Sequence, residues 1–227
     1  MGEWIEVKAA DGHQLKAYKA APEGQVRGAV VVVQEIFGVN AHIRSIADRL
    51  AAAGYLAVAP ALFDRYERGV ELKYEGQDLQ KAYELYGKLD ARTALLDVAA
   101  GFSAVAGEAK VGVMGFCYGG FMSWLSATRG RSVGIGPVCC VGFYPGGVGA
   151  VAQEEPSCPV MLHFGADDTH IGQEQVDAVR NSHPEVKIFV YEGAGHGFNC
   201  DMRESYESKA AELAWERSLE FLVEHVG

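Results

Sequence analysis

Val111-Gly112-Val113-Met114-Gly115-Phe116-Cys117-Tyr118-Gly119-Gly120 is the stretch whose reading decides the fold. Val111 to Met114 is an apolar run of strand type, and Phe121 to Thr128 beyond it is an apolar helix-like segment stopped by Gly130. Between them stands G-x-C-x-G. A nucleophile carried at the tip of a sharp strand-to-helix turn needs small residues two places to either side, and Gly115 and Gly119 supply them. The side chain at the tip then stands at the top of a sheet, where the free N–H groups and positive end of the next helix favour a thiolate. The same residues also describe a buried cysteine in a glycine-rich turn, because free cysteine is among the most buried residue types.

Outward from this turn the chain alternates strands and helices. Glu3 to Lys8 and Gln14 to Ala20 alternate apolar and polar residues around Asp11-Gly12, a hairpin signal expected at a sheet edge. Ala29 to Val33 is an unbroken β-branched run of the kind buried on both faces, and it ends at Gln34-Glu35-Ile36-Phe37-Gly38. Ile43, Ile46, Ala47 and Leu50 have helical spacing before Gly54, and Leu56 to Ala59 reads as a further buried strand. From Phe63 to Lys88 the alternation breaks into a charged, tyrosine-bearing excursion that is helical only over Asp78 to Tyr86. It is a candidate pocket wall, or equally a polar surface excursion anchored by its tyrosines. A helix is expected over Asp90 to Val105, strands over Val138 to Phe143, Val160 to Phe164 and Lys187 to Tyr191, and helices over Gln173 to Val179 and Glu204 to Val223. Leu213, Ala214, Leu219, Phe221 and Leu222 are expected to face inward from the last of these. This order implies an α/β fold with a mostly parallel sheet covered on both faces.

The 227 residues suffice for a single α/β domain spanning 1–227 with a large core. A formal net charge of −10 without a Lys/Arg run excludes nucleic acid and anionic membrane surfaces as expected partners. Five cysteines at 117, 139, 140, 158 and 200, with no C-x-x-C pair, point to a reducing, cytoplasmic setting; adjacent Cys139 and Cys140 read as core. The start Met1-Gly2-Glu3-Trp4 lacks the positive charge of a signal peptide, and no apolar run reaches the roughly 18 residues of a membrane span. Neither a cofactor nor a metal is expected, and the chain is expected to act as a monomer on a small molecule.

In open α/β sheets the ligand site lies beyond the carboxyl ends of the strands. Three such ends carry groups suited to nucleophilic catalysis: Cys117, the pair Asp167-Asp168, and His196 within Gly193-Ala194-Gly195-His196-Gly197. A thiol needs a base, and the base needs an acid to hold one tautomer. The chain order nucleophile, acid, histidine is that of α/β-hydrolases, with spacings of 51 residues from Cys117 to Asp168 and 28 from Asp168 to His196.

Gly115-Phe116-Cys117-Tyr118-Gly119-Gly120, Gln34-Glu35-Ile36-Phe37-Gly38, Gly165-Ala166-Asp167-Asp168 and Gly193-Ala194-Gly195-His196-Gly197-Phe198 together resemble the dienelactone hydrolase family over most of the chain. The resemblance implies an eight-stranded, lid-poor α/β-hydrolase in which Cys117 attacks an ester or lactone carbonyl, His196 shuttles the proton and Asp168, rather than Asp167, orients His196. It also implies that Glu35, close to the thiol at rest, helps deprotonate Cys117 when substrate binds, and that the backbone N–H groups of Ile36 and Tyr118 form the oxyanion hole. A thiolate made only on binding would be spared oxidation. The family holds an anionic lactone with two arginines, at whose positions this chain has Leu79 and Cys200. Neither can grip a carboxylate, which only a guanidinium does bidentately. A less polar ester or lactone is therefore expected, in a pocket including Phe37, Tyr83, Trp124 and Phe198, with Arg203 and Lys81 read as surface charges rather than displaced clamps.

Three other classes compete with this reading. A dinucleotide domain would need G-x-G-x-x-G or G-x-x-x-x-G-K-[ST], which the sequence lacks. A metal hydrolase built on His163, His170, His183 or His196 with Asp167 or Asp168 finds no H-E-x-x-H or close histidine pair. A non-catalytic ligand binder that keeps the site residues is distinguished only by turnover.

Overall fold

The strand β1 (Glu3–Lys8) and its antiparallel partner β2 (Gln14–Ala20) form the edge hairpin, with Lys8 opposite Gln14. The computed structural model describes residues 2–107 and 109–227, and β1 and β2 open an eight-stranded sheet there. Its other strands are β3 (Gly28–Val33), β4 (Tyr55–Pro60), β5 (Val111–Phe116), β6 (Cys140–Phe143), β7 (Val160–Gly165) and β8 (Lys187–Tyr191), in the order β1-β2-β4-β3-β5-β6-β7-β8. From β4 to β8 every pairing is parallel. The parallel strands β3 to β7 are buried along their whole length, which is why they read as continuous Val-rich runs without alternation. Each fully buried Val contributes on the order of 1.5–3 kcal/mol, an upper figure because unfolded chains already bury part of that surface.

Six helices cover this sheet: α1 (Ala41–Ala52), α2 (Gly76–Tyr86), α3 (Ala91–Ser103), α4 (Tyr118–Arg129), α5 (Gln173–Ser182) and α6 (Ser208–His225). Helices α1 and α6 are joined by Arg49, whose guanidinium lies 3.9 Å from the Trp215 ring centroid, while α3 and α4 pack against each other. Side chains cap three of these helices, among them α1, where Asn40 accepts from the Ile43 N–H, and α3, where Asp90 accepts from the Thr93 N–H.

The last helix begins later than its sequence suggests. Glu207 caps it by accepting from the Ala210 N–H at 2.6 Å, and residues 200–206 form tight turns instead, through Arg203 N–H to Cys200 O and Tyr206 N–H to Arg203 O. On α6, Ala214, Phe221 and Leu222 are buried and Leu219 is half-buried, but Leu213 is 40% exposed, one position off the inward stripe. The excursion from Phe63 to Lys88 is tied back onto the body. Arg65 grips the buried Asp97 of α3 through two hydrogen bonds of 2.6 and 2.8 Å, and burial pushes the Asp97 carboxyl up to about 6 against the pull of that guanidinium. Gly38, at φ +81°, lets Val70 approach so closely that a Cβ there would lie 2.0 Å from its carbonyl oxygen. No helix among the described residues is long and apolar enough to cross a membrane.

Candidate active site

Cys117 ends β5 and opens α4 with φ 52° and ψ −115°, a conformation that non-glycine residues rarely adopt. It is held there by its own N–H, which donates to Phe143 O at 3.0 Å, and by two close backbone approaches that only glycine permits. A Cβ on Gly115 would lie 1.9 Å from Gly119 O, and one on Gly119 would lie 2.1 Å from Val33 O. The G-x-C-x-G spacing is thus explained by backbone packing on both sides of the tip.

The thiol meets the histidine directly: Cys117 Sγ is 3.2 Å from His196 Nε2, and His196 Nδ1 is 2.8 Å from Asp168 Oδ2. Asp168 is almost fully buried, and its other oxygen accepts from the His170 and Ile171 N–H groups, which locks the carboxylate plane. Asp167 is exposed and makes no part of this line. Burial pulls the His196 imidazole down, but the Asp168 hydrogen bond and the hydrogen bond and charge of Cys117 outweigh it and push the ring up to about 10. Tyr144, strained at φ 38° after β6, lays its ring 5.1 Å from the imidazole, and Phe198 backs Tyr144 in turn.

A cavity of about 250 Å³ opens over the thiol. Ile36, Phe37, Leu79 and Tyr83 line it together with Tyr86, Tyr118, His170 and Arg203. Among the described residues the Ile36 and Tyr118 N–H groups donate to no backbone carbonyl, so both donors remain available at the edge of this cavity. Of the four expected pocket residues, Phe37 and Tyr83 are in the wall and the other two are not. Trp124 lies seven residues along α4 from Cys117, about 10 Å down the axis, and is fully buried beside His183. Phe198 is fully buried behind Tyr144 and Tyr191.

Arg203 also departs from expectation. It lines the cavity, sits 3.6 Å from Glu35 Oε1 and lies over the Phe37 and Tyr74 rings at 5.7 and 5.1 Å. Lys81 behaves as the surface charge expected of it, paired with Glu67 at 2.7 Å and Glu84 at 3.7 Å. Glu35 is fully buried, yet neither of its oxygens has a hydrogen-bond partner among the described residues. The thiol's hydrogen bond goes to His196 rather than to Glu35. Tyr86 and Tyr144 are not read as site residues in the sequence, His170 is named there only as a candidate metal ligand, and Arg203 is weighed as a displaced clamp and read as a surface charge. His170 and Tyr144 stand just after the carboxyl ends of β7 and β6, so the strand-end rule could have found them; Arg203 carries no such signal.

Among the described residues none of His163, His170, His183 and His196 belongs to a set of three metal-ligating atoms that all lie within 4.8 Å of one another. His163 is instead a core residue, its two nitrogens bonded to Tyr191 Oη at 2.9 Å and Ser218 Oγ at 3.0 Å.

A parallel sheet, a strained residue at the β5–α4 turn and a histidine–acid pair on later strand ends define an α/β-hydrolase, here with a thiol at the turn. The dienelactone hydrolase family model matches residues 15–226, and the chain belongs to that family. A carboxymethylenebutenolidase of Pseudomonas putida is 30% identical over 97% of this chain and 95% of its own. A crystal structure titled "Putative Dienelactone Hydrolase" from Klebsiella pneumoniae superposes with a TM-score of 0.83 at 31% identity, covering 98% of this chain and 100% of that one. A dienelactone hydrolase-like promiscuous phosphotriesterase from metagenomic libraries shares the fold at a TM-score of 0.77 and 23% identity, with 100% of this chain and 99% of that one covered.

Proposed function

We propose that this protein hydrolyses small, neutral carboxylic esters or lactones through an acyl thioester on Cys117. The observation that carries the reading is the hydrogen-bonded line from Cys117 Sγ through His196 to Asp168, with distances of 3.2 and 2.8 Å, at the floor of a cavity lined by aromatic and aliphatic side chains. His196, its proton affinity raised by Asp168 and Cys117, takes up and holds the thiol proton as Sγ adds to the carbonyl carbon, and the carbonyl oxygen becomes an oxyanion facing the Ile36 and Tyr118 N–H groups. Collapse of this intermediate breaks the bond to the leaving oxygen, which receives the proton from His196. Water then adds to the thioester with His196 as base, and the acid departs as Sγ is released. Asp168 keeps Nδ1 protonated throughout and stabilises the imidazolium. Glu35, paired with Arg203 in this structure, assists deprotonation of the thiol when substrate enters.

Substrate charge is set by Arg203. It is the single Arg or Lys among the described residues that line the cavity, and its charge already faces the buried Glu35. Leu79 also lines the cavity, and among the described residues no second guanidinium is there to complete a carboxylate clamp. The test is intact-mass analysis after rapid quench with a slowly turned-over aryl ester. A covalent acyl mass on the native chain, absent from Cys117→Ala, is expected; the same adduct on the Cys117→Ala chain would exclude the thioester.

A further inference from the structure

Apart from the line of Cys117, His196 and Asp168 the fold gathers a second set of reactive groups, of which the proposed hydrolysis uses only Glu35. Glu35 follows β3, His42 lies in the first turn of α1, and Cys200 lies in the turns before α6; one donor atom from each falls within 4.8 Å of the others. All three are buried. Among the described residues both Glu35 oxygens and His42 Nε2 lack hydrogen-bond partners, and burial pulls the His42 ring below its usual range, so it stays neutral with a free lone pair. A ligand that engages all three donors at once gives the unpartnered Glu35 and His42 atoms the partner they lack among the described residues.

We propose that Glu35, His42 and Cys200 form a binding site for a zinc-class divalent cation that reversibly silences the enzyme. A carboxylate oxygen, an imidazole nitrogen and a thiolate are a donor set suited to Zn²⁺, with a water in the fourth position. With bonds of about 2.0–2.3 Å a tetrahedral ion needs its donors roughly 3.3–3.6 Å apart, so the three must draw together by at most ~1.5 Å. Burial and the charge of Glu35 push the Cys200 thiol up to about 12, so binding releases its proton to solvent as the Zn–S bond forms. The carboxylate and thiolate then cancel the charge of the ion, which offsets the repulsion from Arg203 beside Glu35. Silencing rests on the function proposed above, because an ion that fixes Glu35 removes it from activation of the thiol; the binding itself does not.

The two are separated by reading binding without turnover. Co²⁺ is titrated into Cys117→Ala protein, in which the catalytic thiol cannot ligate, and thiolate-to-cobalt charge-transfer absorption is followed. One equivalent is expected, with the absorption lost when Cys200→Ala is added and the affinity reduced at least tenfold when His42→Gln is added, circular dichroism confirming that each variant is folded. No absorption in the Cys117→Ala protein, or absorption that survives Cys200→Ala, overturns the site. With the otherwise native chain, Zn²⁺ is expected to lower aryl-ester turnover and a chelator to restore it; cobalt binding at Cys200 with undiminished turnover under saturating Zn²⁺ overturns the silencing and leaves the site standing.

Discussion

The two sides of Cys117 are built on opposite terms. Along the line from thiol to acid each side chain has its partner: Asp168 accepts from two backbone N–H groups and faces His196, which in turn meets the thiol. Off that line Glu35, His42 and the Tyr144 hydroxyl are buried with polar atoms unpaired among the described residues, and a guanidinium at 3.6 Å offers Glu35 partial compensation. Satisfied groups in rotamers fixed by packing stay where they are, which suits a proton relay whose geometry must not drift. Unsatisfied groups gain from any rearrangement that gives them a partner. The first side is therefore suited to chemistry and the second to response.

The largest expected effect breaks the satisfied side. His196→Asn should lower kcat/KM for an aryl ester by about 10⁴, and Asp168→Asn by a similar factor because the imidazole loses its tautomer, both with thermal unfolding unchanged within a few degrees. A loss under tenfold in either variant would mean that the line from thiol to acid is structural. Next comes the backbone of the turn itself. Gly119→Ala drives a Cβ to 2.1 Å from Val33 O, and a cost above about 4 kcal/mol is expected, read as loss of soluble protein or collapse of the urea midpoint.

On the unsatisfied side, Arg203→Met strips Glu35 of its one opposing charge. The urea-derived stability should fall by about 2–3 kcal/mol, less than for a fully enclosed pair because Arg203 is partly exposed, and Glu35→Gln in the same chain should restore most of it. If the double variant is as unstable as the single one, the loss is one of packing and the contrast between the two sides weakens. His163 sharpens it from the satisfied side. Burial, aided by the Arg217 charge, pulls its pKa from 6.5 to about 3. The unfolded chain therefore binds a proton that the folded chain refuses, and stability is fully present above pH 6.5 and lost as the pH falls toward 3. The slope reaches about 1.4 kcal/mol per pH unit, and His163→Gln should flatten it in denaturation curves between pH 6.5 and 5. The smallest effect concerns the substrate: an anionic lactone should be turned over roughly fivefold less efficiently than its matched neutral analogue, about 1 kcal/mol in kcat/KM, because the Arg203 charge is already engaged. A preference for the anion would show that Arg203 leaves Glu35 for the substrate.

The elements of the sheet were legible because each parallel strand is a continuous apolar run, and the site's three principal residues because each terminates such a run. Misplaced residues share one property: their surroundings come from distant segments. Trp124 and Phe198 are large, apolar and close in sequence to Cys117 and His196, yet a helix carries the first about 10 Å away and the second turns inward to back Tyr144. Arg203 read as a surface charge because nothing local says that residues 200–206 turn back over Phe37 and Tyr74.

The sequence by itself determined what is written in local chemistry and order: strand and helix periods, the glycines that admit Cys117 to a strained turn, and the nucleophile, acid and histidine in the succession of an α/β-hydrolase. Only the tertiary structure decided which charge faces the cavity, which aromatic side chains line it, and that Glu35, His42 and Cys200 are buried together. The physical reason is range. Backbone propensities and apolar periodicity act over a few residues, whereas burial and electrostatic partnership are set by whichever segments the packed fold brings together, and for His42 and Cys200 those segments lie 158 residues apart.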